Sequence, residues 1–158
     1  MSEIFSLDIQ NNHSPLSSTS FVGEYGERLA AEFLEDNGFR LVLANFKVPV
    51  GRNRLGVAVT GEIDLIALDG ETICFVEVKT RSSDEFASPL AAVDVRKQRQ
   101  IIRTARVYRK IFNLNSARFR YDVVSIVLTD RNKPRIEIFK NFWTEEKFRK
   151  RFWNDDIW

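Results

Sequence analysis

The sequence predicts one α/β domain in which a mixed central sheet is flanked by helices, in the order α-β-β-β-α-β-β. Segments with the apolar spacing of helices alternate with segments rich in β-branched and aromatic residues, and no repeat or linker divides the chain. The chain has 158 residues, 44% of them hydrophobic. That size and composition are typical of a single globular domain with a substantial core.

The first half of the chain begins with residues 1–20, whose acids, Asn, Ser and Pro predict a flexible polar leader. Residues 21–37 have a helical stripe that includes Leu29 and Ala30, and Gly38 supplies a helix stop. Residues 39–48 then predict a strand. Residues 49–59 hold two Gly, one Pro and two Arg, which indicates a flexible loop.

The second half begins with a predicted hairpin, because strands over 61–68 and 72–80 flank the turn Asp69-Gly70-Glu71. A long helix is expected from Ser88-Pro89 to about residue 112, with Ser as N-cap and Pro at the first position. Two more strands over 119–128 and 135–139 and a short helix over 144–153 complete the chain. The domain proper is predicted over 21–140.

Residues 141–158 form an aromatic and basic C-terminal extension, with three Trp in the last sixteen residues. Such a segment can stack on single-stranded nucleic acid. We favour two other roles for it, which are covering the core or pairing two subunits.

Composition excludes several classes of protein. The apolar runs are far shorter than a membrane span, so no membrane partner is expected, and nothing at the start resembles a signal peptide. The single cysteine, Cys74, excludes an intramolecular disulfide and a multi-cysteine zinc site, so a cytoplasmic location is expected. The net charge of +2 and the pI of about 8.8 are compatible with a nucleic-acid partner without requiring one.

The predicted hairpin brings two carboxylates together. If its turn residues are Gly70 and Glu71, Asp64 lies directly opposite Glu77. If the turn is centred on Asp69-Gly70, Asp64 faces Phe75 and Glu77 is its diagonal neighbour. In both registers the two acids share one face of the sheet, because side chains alternate along a strand. Lys79 follows Glu77 on that face by the same period of two.

Two acids within otherwise apolar strands need a cation, because burial of an unpaired carboxylate costs on the order of several kcal/mol. Lys79 supplies one positive charge, and a divalent ion held by Asp64 and Glu77 would supply more. Oxygen ligands suit Mg²⁺ or Mn²⁺. The alternative is a structural ion pair between Lys79 and one acid. The presence of two acids and a lysine on one face favours a functional site.

The motifs Gly61-Glu62-Ile63-Asp64-Leu65-Ile66 and Phe75-Val76-Glu77-Val78-Lys79-Thr80-Arg81 resemble the D…ExK core of the PD-(D/E)xK nuclease superfamily. More narrowly, the chain resembles the small bacterial YraN-like proteins, predicted endonucleases similar to archaeal Holliday-junction resolvases. The resemblance runs from about residue 23 to 139 and includes Gly26-Glu27, Asn45, Lys97 and Ala105. The loop over 49–60 and the tail from 142 onward depart from it.

The resemblance implies a restriction endonuclease-like core and a metal-dependent nuclease acting on DNA, branched DNA included. It implies that Asp64 and Glu77 are ligands of Mg²⁺ or Mn²⁺, that Lys79 is the catalytic lysine, and that Glu27 joins the catalytic site. By spacing alone, Glu27 would be a solvated helix residue. Similar resolvases act as dimers on a substrate with two scissile strands, so a homodimer is expected. The rival hypothesis is a nucleic-acid-binding or assembly protein that keeps the fold without catalysis.

Further basic residues are candidates for contact with the DNA backbone. Arg81 lies on the strand of Glu77, and Arg52 and Arg54 lie in the preceding loop. Lys97 falls within the apolar stripe of the second helix, so it must snorkel or reach a negative group, and we favour the site. The other cations of that helix lie opposite the stripe, where a basic face is usually only solvated: Arg96, Arg99, Arg103, Arg106 and Lys110.

Overall fold

The computed structural model describes residues 18–82, 93–130 and 132–152, with side chains from 20 to 149 within those ranges. Eight elements follow one another along the chain. They are α1 (Ser18–Asp36), β1 (Arg40–Arg52), β2 (Ala58–Asp69), β3 (Thr72–Arg81), α2 (Val95–Ile111), β4 (Phe119–Val127), β5 (Arg135–Trp143) and α3 (Glu146–Phe152). The predicted α-β-β-β-α-β-β order is confirmed, with α3 appended to it.

The five strands form one mixed sheet in the order β1-β2-β3-β4-β5. Strands β3 and β4 are parallel, and every other neighbouring pair is antiparallel. Helix α2 lies between the two parallel strands in the chain, as expected for a crossover connection. The predicted mixed α/β architecture is therefore confirmed.

Each face of the sheet carries its own core, because side chains alternate along the strands. On one face α2 packs Ile101, Ile102 and Ala105 against Ile66 and Phe75. On the other face α1 packs Ala30 and Leu34 against the opposite set of strand residues, which includes Leu65, Cys74 and Val76. None of the described helices is long and apolar enough to cross a membrane.

Helix α1 ends where the sequence predicts. Gly38 has a φ of +84°, a left-handed conformation that few residues other than glycine adopt readily. The backbone N–H of Phe39 then donates to the carbonyl of Leu34 at 3.0 Å, which satisfies one of the carbonyls left free at the helix end. This turn sends the chain directly from α1 into β1.

The predicted flexible loop over 49–59 is wrong, because most of it belongs to a long β1–β2 hairpin. Pro49 lies on β1 and pairs with Thr60 of β2. Because β1 is an edge strand, the missing N–H of proline is tolerated there. The connection is short, and the Asn53 side-chain oxygen holds it by accepting from the backbone N–H groups of Leu55 and Val57, both at 3.0 Å. Arg52 and Arg54 therefore lie at the tip of an ordered hairpin.

The predicted start of the second helix is also wrong, although Ser88 and Pro89 themselves lie outside the described residues. Asp94 has extended backbone and caps α2, and its side chain accepts from the backbone N–H of Lys97 at 2.8 Å. The helix thus begins at Val95, because Asp94 satisfies a first-turn N–H that has no partner within the helix.

Strand β5 continues beyond its predicted end at residue 139 to Trp143. Trp143 and Phe148 are both buried, and they belong to the core on the α2 face. For these two aromatic residues the preferred expectation, that they cover the core, is confirmed. Trp153 and Trp158 lie outside the described residues.

Candidate active site

The β2–β3 hairpin selects the first of the two predicted registers. Asp69 pairs with Thr72, Ile66 with Phe75 and Leu65 with Val76, so the turn residues are Gly70 and Glu71. The β2–β3 ladder stops after Leu65 and Val76. Beyond that point β2 remains paired with β1, and β3 with β4. The two strands therefore diverge into a fork, and Asp64 and Glu77 are the first residues past the last rung.

The Asp64 side chain is fixed at this fork. Its Oδ2 accepts a hydrogen bond of 2.8 Å from the backbone N–H of Val78, so β3 itself orients the carboxylate. On the other side of β2, Asn45 has a φ of 52°, and the β1–β2 ladder passes from Ala44–Leu65 to Phe46–Ile63. Ile63 packs in the core on the α2 face, whereas Leu65 packs in the core on the α1 face. Asp64 thus lies where β2 changes the face it presents.

Glu77 is a buried acid with two lysine neighbours. Its Oε1 lies 3.5 Å from Lys79 Nζ and 3.9 Å from Lys97 Nζ. Its Oε2 is buried and accepts no hydrogen bond from a described residue. Burial, followed by the charge of Asp64, raises the pKa of Glu77 to about 8, and the two lysines oppose that rise. The two lysines therefore only partly offset the cost of ionising Glu77 at this buried position beside Asp64.

Glu27 reaches the same region from α1. Burial and the nearby charge of Asp64 raise the pKa of Glu27, whereas a hydrogen bond from the Asn45 side chain lowers it. Gly26 permits this approach, because a Cβ at that position would overlap Thr80 Oγ1 on β3. The Gly26-Glu27 pair thus brings α1 against the sheet and places a third carboxylate near Asp64.

A second glycine brings α2 close on the opposite face. A Cβ at Gly61 would overlap Thr104 Oγ1 of α2 and would also crowd Val50. Gln100, one turn before Thr104, donates to the carbonyl of Thr60 at 3.1 Å. This close packing holds α2 so that Lys97, one turn before Ile101, faces Glu77. Lys97 therefore reaches a negative group, as the sequence predicts.

The donor set suits a hard divalent cation that retains part of its hydration. Within the described ranges, no cluster of three His, Cys, Asp or Glu side chains forms a complete cation cage. Mg²⁺ commonly uses only one or two protein carboxylates together with water and phosphate oxygens. Asp64 and Glu77 meet that requirement, and the unpartnered Glu77 Oε2 is an oxygen that a cation would satisfy.

The residues that the sequence predicts to contact phosphate lie in two places. Arg52 and Arg54 line a cavity of about 520 Å³ beside the fork, and Lys97 lines it too. Arg81 ends β3, where it pairs with Val127, and its side chain is partly buried. The structure thus brings Arg52 and Arg54 together with Lys97.

Two arginines of the polar face of α2 also line this cavity. Arg96 and Arg103 line the same cavity as Arg52 and Arg54, because the ordered β1–β2 hairpin extends over that face. Their spacing of seven residues places them on one helical stripe, a signal visible in the sequence. What the sequence alone could not provide was the hairpin opposite them. Asn45, whose side chain contacts Glu27, is a second residue whose role only the fold reveals.

Comparison with known proteins finds relatives of this chain by sequence. The model of the Uncharacterised protein family UPF0102 matches residues 26–126. A UPF0102 protein of Chlorobium chlorochromatii is 39% identical over 140 residues, covering 89% of this chain and 97% of the relative. A UPF0102 protein of Chlorobium limicola is 38% identical over 144 residues, covering 91% and 98%.

A solved structure, described as the crystal structure of SSO0001, is 16% identical with a TM-score of 0.42. The match covers 85% of this chain, which spans 57% of that solved chain. The family assignment rests on the sequence relatives, which are similar over nearly their whole length. The chain therefore belongs to the UPF0102 family.

Proposed function

We propose that this protein is a divalent-metal-dependent nuclease that hydrolyses DNA phosphodiester bonds at the fork between β2 and β3. We propose Mg²⁺ or Mn²⁺ as its metal and include branched DNA among its substrates. One observation carries the proposal. Asp64 and Glu77 are buried at neighbouring positions of diverging strands, and the charge of Asp64 helps to raise the pKa of Glu77. A cation bound between the two carboxylates would reduce their repulsion, and this supports a metal site at the fork.

Asp64 and Glu77 would hold the metal, and water and phosphate oxygens would complete its coordination. When bound, the cation would act as a Lewis acid on the phosphate and lower the pKa of a water molecule. The chain's contribution is to fix the two carboxylates. The backbone N–H of Val78 orients Asp64, and burial within β3 restrains Glu77.

Lys79 is the group best placed to act on the reacting phosphate. Its side chain is 35% exposed, so its ammonium reaches the open fork while it remains 3.5 Å from Glu77 Oε1. There it can orient the attacking water and donate to a phosphate oxygen as negative charge develops. Lys97 is the second ammonium at Glu77, and it can hold a non-reacting phosphate oxygen.

Glu27 contributes a further negative charge beside Asp64 and increases the preference of the fork for a cation. A hydrogen bond from the Asn45 side chain lowers the pKa of Glu27 and so favours its charged form. In that position Glu27 can accept a hydrogen bond from a water of the metal's hydration shell.

The test is DNA cleavage with a panel of end-labelled linear, nicked, flapped and four-way-junction DNAs, with and without Mn²⁺ or Mg²⁺. We expect metal-dependent cleavage of at least one substrate by the wild-type protein. Glu77→Gln should abolish it and also remove the thermal stabilisation by Mn²⁺. Glu71→Gln, in the exposed hairpin turn, removes the same charge and should change neither property.

Lys79→Ala separates metal binding from turnover. It should keep stabilisation by Mn²⁺ and lose cleavage by about 100-fold or more, the range typical of one lost charge-stabilising donor. Unchanged cleavage by Glu77→Gln would refute the mechanism. If the wild type binds DNA but no metal and cleaves none of the panel, the rival, a non-catalytic nucleic-acid-binding protein, is correct.

A further inference from the structure

A basic groove runs beside the fork between α2 and the tip of the β1–β2 hairpin. The cavity of about 520 Å³ adjoins a second one of about 380 Å³, and the two share Arg52, Asn53 and Arg103. Six basic side chains line this basic groove: Arg52, Arg54, Arg96, Lys97, Arg103 and Arg106. Among the described residues of the lining, Asp94 is the one acid, and it is already engaged as the N-cap of α2.

Much of this positive charge is not neutralised by the part of the chain that the structure describes. Among the described residues, Arg52, Arg54 and Arg96 form no ion pair, and all three are exposed. Arg52 is nevertheless held in place, because its guanidinium donates to the carbonyl of Gly56 at 2.6 Å. An arginine fixed by its own hairpin loses less conformational freedom on binding an anion.

The basic groove is continuous with the fork. Lys97 lines the groove and also lies 3.9 Å from Glu77 Oε1, so one side chain belongs to both. From Lys97 to Arg106 the helix rises about 13–14 Å, at about 1.5 Å per residue. One DNA strand carries a phosphate about every 3.4 Å along the helix axis, so this length corresponds to about four phosphates.

We propose that the basic groove binds the sugar-phosphate backbone of the nucleic-acid strand that continues from the cleavage site. A chain of negative charges matches a row of arginines spread along a helix better than a single small anion does. The contacts are to phosphate, so the groove selects a nucleic-acid backbone without reading its sequence. This deepens the proposed function, on which it depends for the location of the scissile phosphate, but binding is measured separately from cleavage.

The experiment measures fluorescence anisotropy of labelled single-stranded and duplex oligonucleotides in EDTA, where metal-dependent cleavage cannot occur. The test variant is Arg54→Ala/Arg96→Ala, which removes two exposed cations from the groove. Its matched control is Arg40→Ala/Arg118→Ala. Both control residues are exposed, and they lie near the turn end of the β2–β3 hairpin, because Arg40 pairs with Leu68 and the carbonyl of Arg118 accepts from the backbone N–H of Ile73.

We expect the groove variant to reduce the slope of log K against log salt by about 1.4 for single strands and 1.8 for duplex, from two lost phosphate contacts. Extrapolated from 1 M to 0.1 M salt, that change weakens binding about 25- to 60-fold. The control pair should stay within about twofold of wild type. Equal loss in both variants, or no loss in the groove variant, would overturn the proposal.

Two further measurements distinguish a backbone site from a small-anion site, and binding from cleavage. In the first measurement, affinity should rise with oligonucleotide length up to at least four phosphates. In the second, displacement of the DNA by inorganic phosphate at low millimolar concentration would indicate a small-anion site and refute the proposal. If the groove effect holds while no DNA is cleaved with Mn²⁺, the backbone site stands and the nuclease assignment fails. If DNA is cleaved and the groove variant binds DNA as tightly as wild type, the nuclease assignment stands and the backbone site fails.

Discussion

Glu77 illustrates how one buried acid makes the stability of the metal-free protein depend on pH. Burial and Asp64 raise its pKa from 4.5 to about 8. In the unfolded chain Glu77 loses its proton near pH 4.5, whereas in the folded chain it keeps the proton up to about pH 8. The folded state therefore binds more protons in that interval, and the free energy of unfolding falls as pH rises from about 4.5 to 8.

The first prediction follows for Glu77→Gln, which cannot ionise. In EDTA at about pH 8 this variant should be more stable than wild type by on the order of 2 kcal/mol, because it lacks the ionisation that favours the unfolded chain. Near pH 4.5 the two proteins should be alike. Urea unfolding across this range measures both. A variant that is less stable than wild type at about pH 8 in EDTA would contradict the electrostatic account of the fork.

Cys74 is the second case in which burial decides the chemistry of one residue. It is the single cysteine of the chain and is fully buried in the core on the α1 face. Burial raises the pKa of its thiol to about 12. Because the thiolate is the reactive species, the native thiol should be inert.

The second prediction is that a thiol-specific chromogenic disulfide reagent labels Cys74 only at the rate of unfolding. Labelling near pH 8 should be very slow in the native protein and should become complete and rapid in urea above the unfolding midpoint. Cys74→Ala controls for reagent background. Rapid labelling of the native protein would show that the α1 side of the sheet opens locally, without global unfolding.

At the scale of elements, two glycines set the distances between the helices and the sheet. Gly26 brings α1 onto Thr80, and Gly61 brings Thr104 of α2 onto β2. The helices lie on opposite faces of the sheet, and each carries a polar side chain to the fork, Glu27 in one case and Lys97 in the other. These glycines therefore affect both the packing and the geometry of the candidate site.

The third prediction concerns Gly26→Ala. Its new methyl group would overlap Thr80 Oγ1, so α1 must shift and the protein should lose about 1–3 kcal/mol of stability, the usual cost of overpacking. Gly23→Ala in the same helix is the control. It meets no atom within 4 Å, so it should be neutral or stabilising by up to about 1 kcal/mol. Thermal and urea unfolding measure both, and equal effects at the two positions would contradict the close approach.

A β-bulge between β4 and β5, at the edge of the sheet opposite β1, depends on one buried side chain. Asp122 is fully buried, and its Oδ1 accepts from the backbone N–H of Asn141 at 2.8 Å and from Arg120 Nε at 2.9 Å. Asn141 has a φ of 52°, where the β4–β5 register shifts. Asp122 therefore has a structural role, because it holds the bulged backbone of β5 against β4.

At the scale of the whole molecule, the homodimer implied by the family resemblance stays a prediction. We expect multi-angle light scattering to give twice the chain mass of 18.4 kDa at micromolar concentration. A monomer at high protein concentration would remove the dimer and leave the fork unchanged, because Asp64, Glu77 and Lys79 all come from one chain. The measurement should include one sample with metal and one sample with DNA.

The order of elements could be predicted from the sequence, and so could the proximity of Glu77 to Asp64 and Lys79. The Gly70 turn and alternation along β3 suffice for this proximity, because both are local rules that apply whatever packs above them. The ends of the elements were less well determined. The stretch over 49–59 has loop composition, yet β2 supplies a partner strand for most of it, and strand pairing can override local preference.

The remainder of the site required the tertiary structure. Glu27 meets Asp64 only because α1 packs against Thr80, and the arginines of α2 meet Arg52 and Arg54 only because the β1–β2 hairpin extends over that helix. The register itself was open between two turns until the ladder selected one of them. Local periodicity determines which face a side chain occupies, whereas contacts between residues far apart in the chain depend on how whole elements pack.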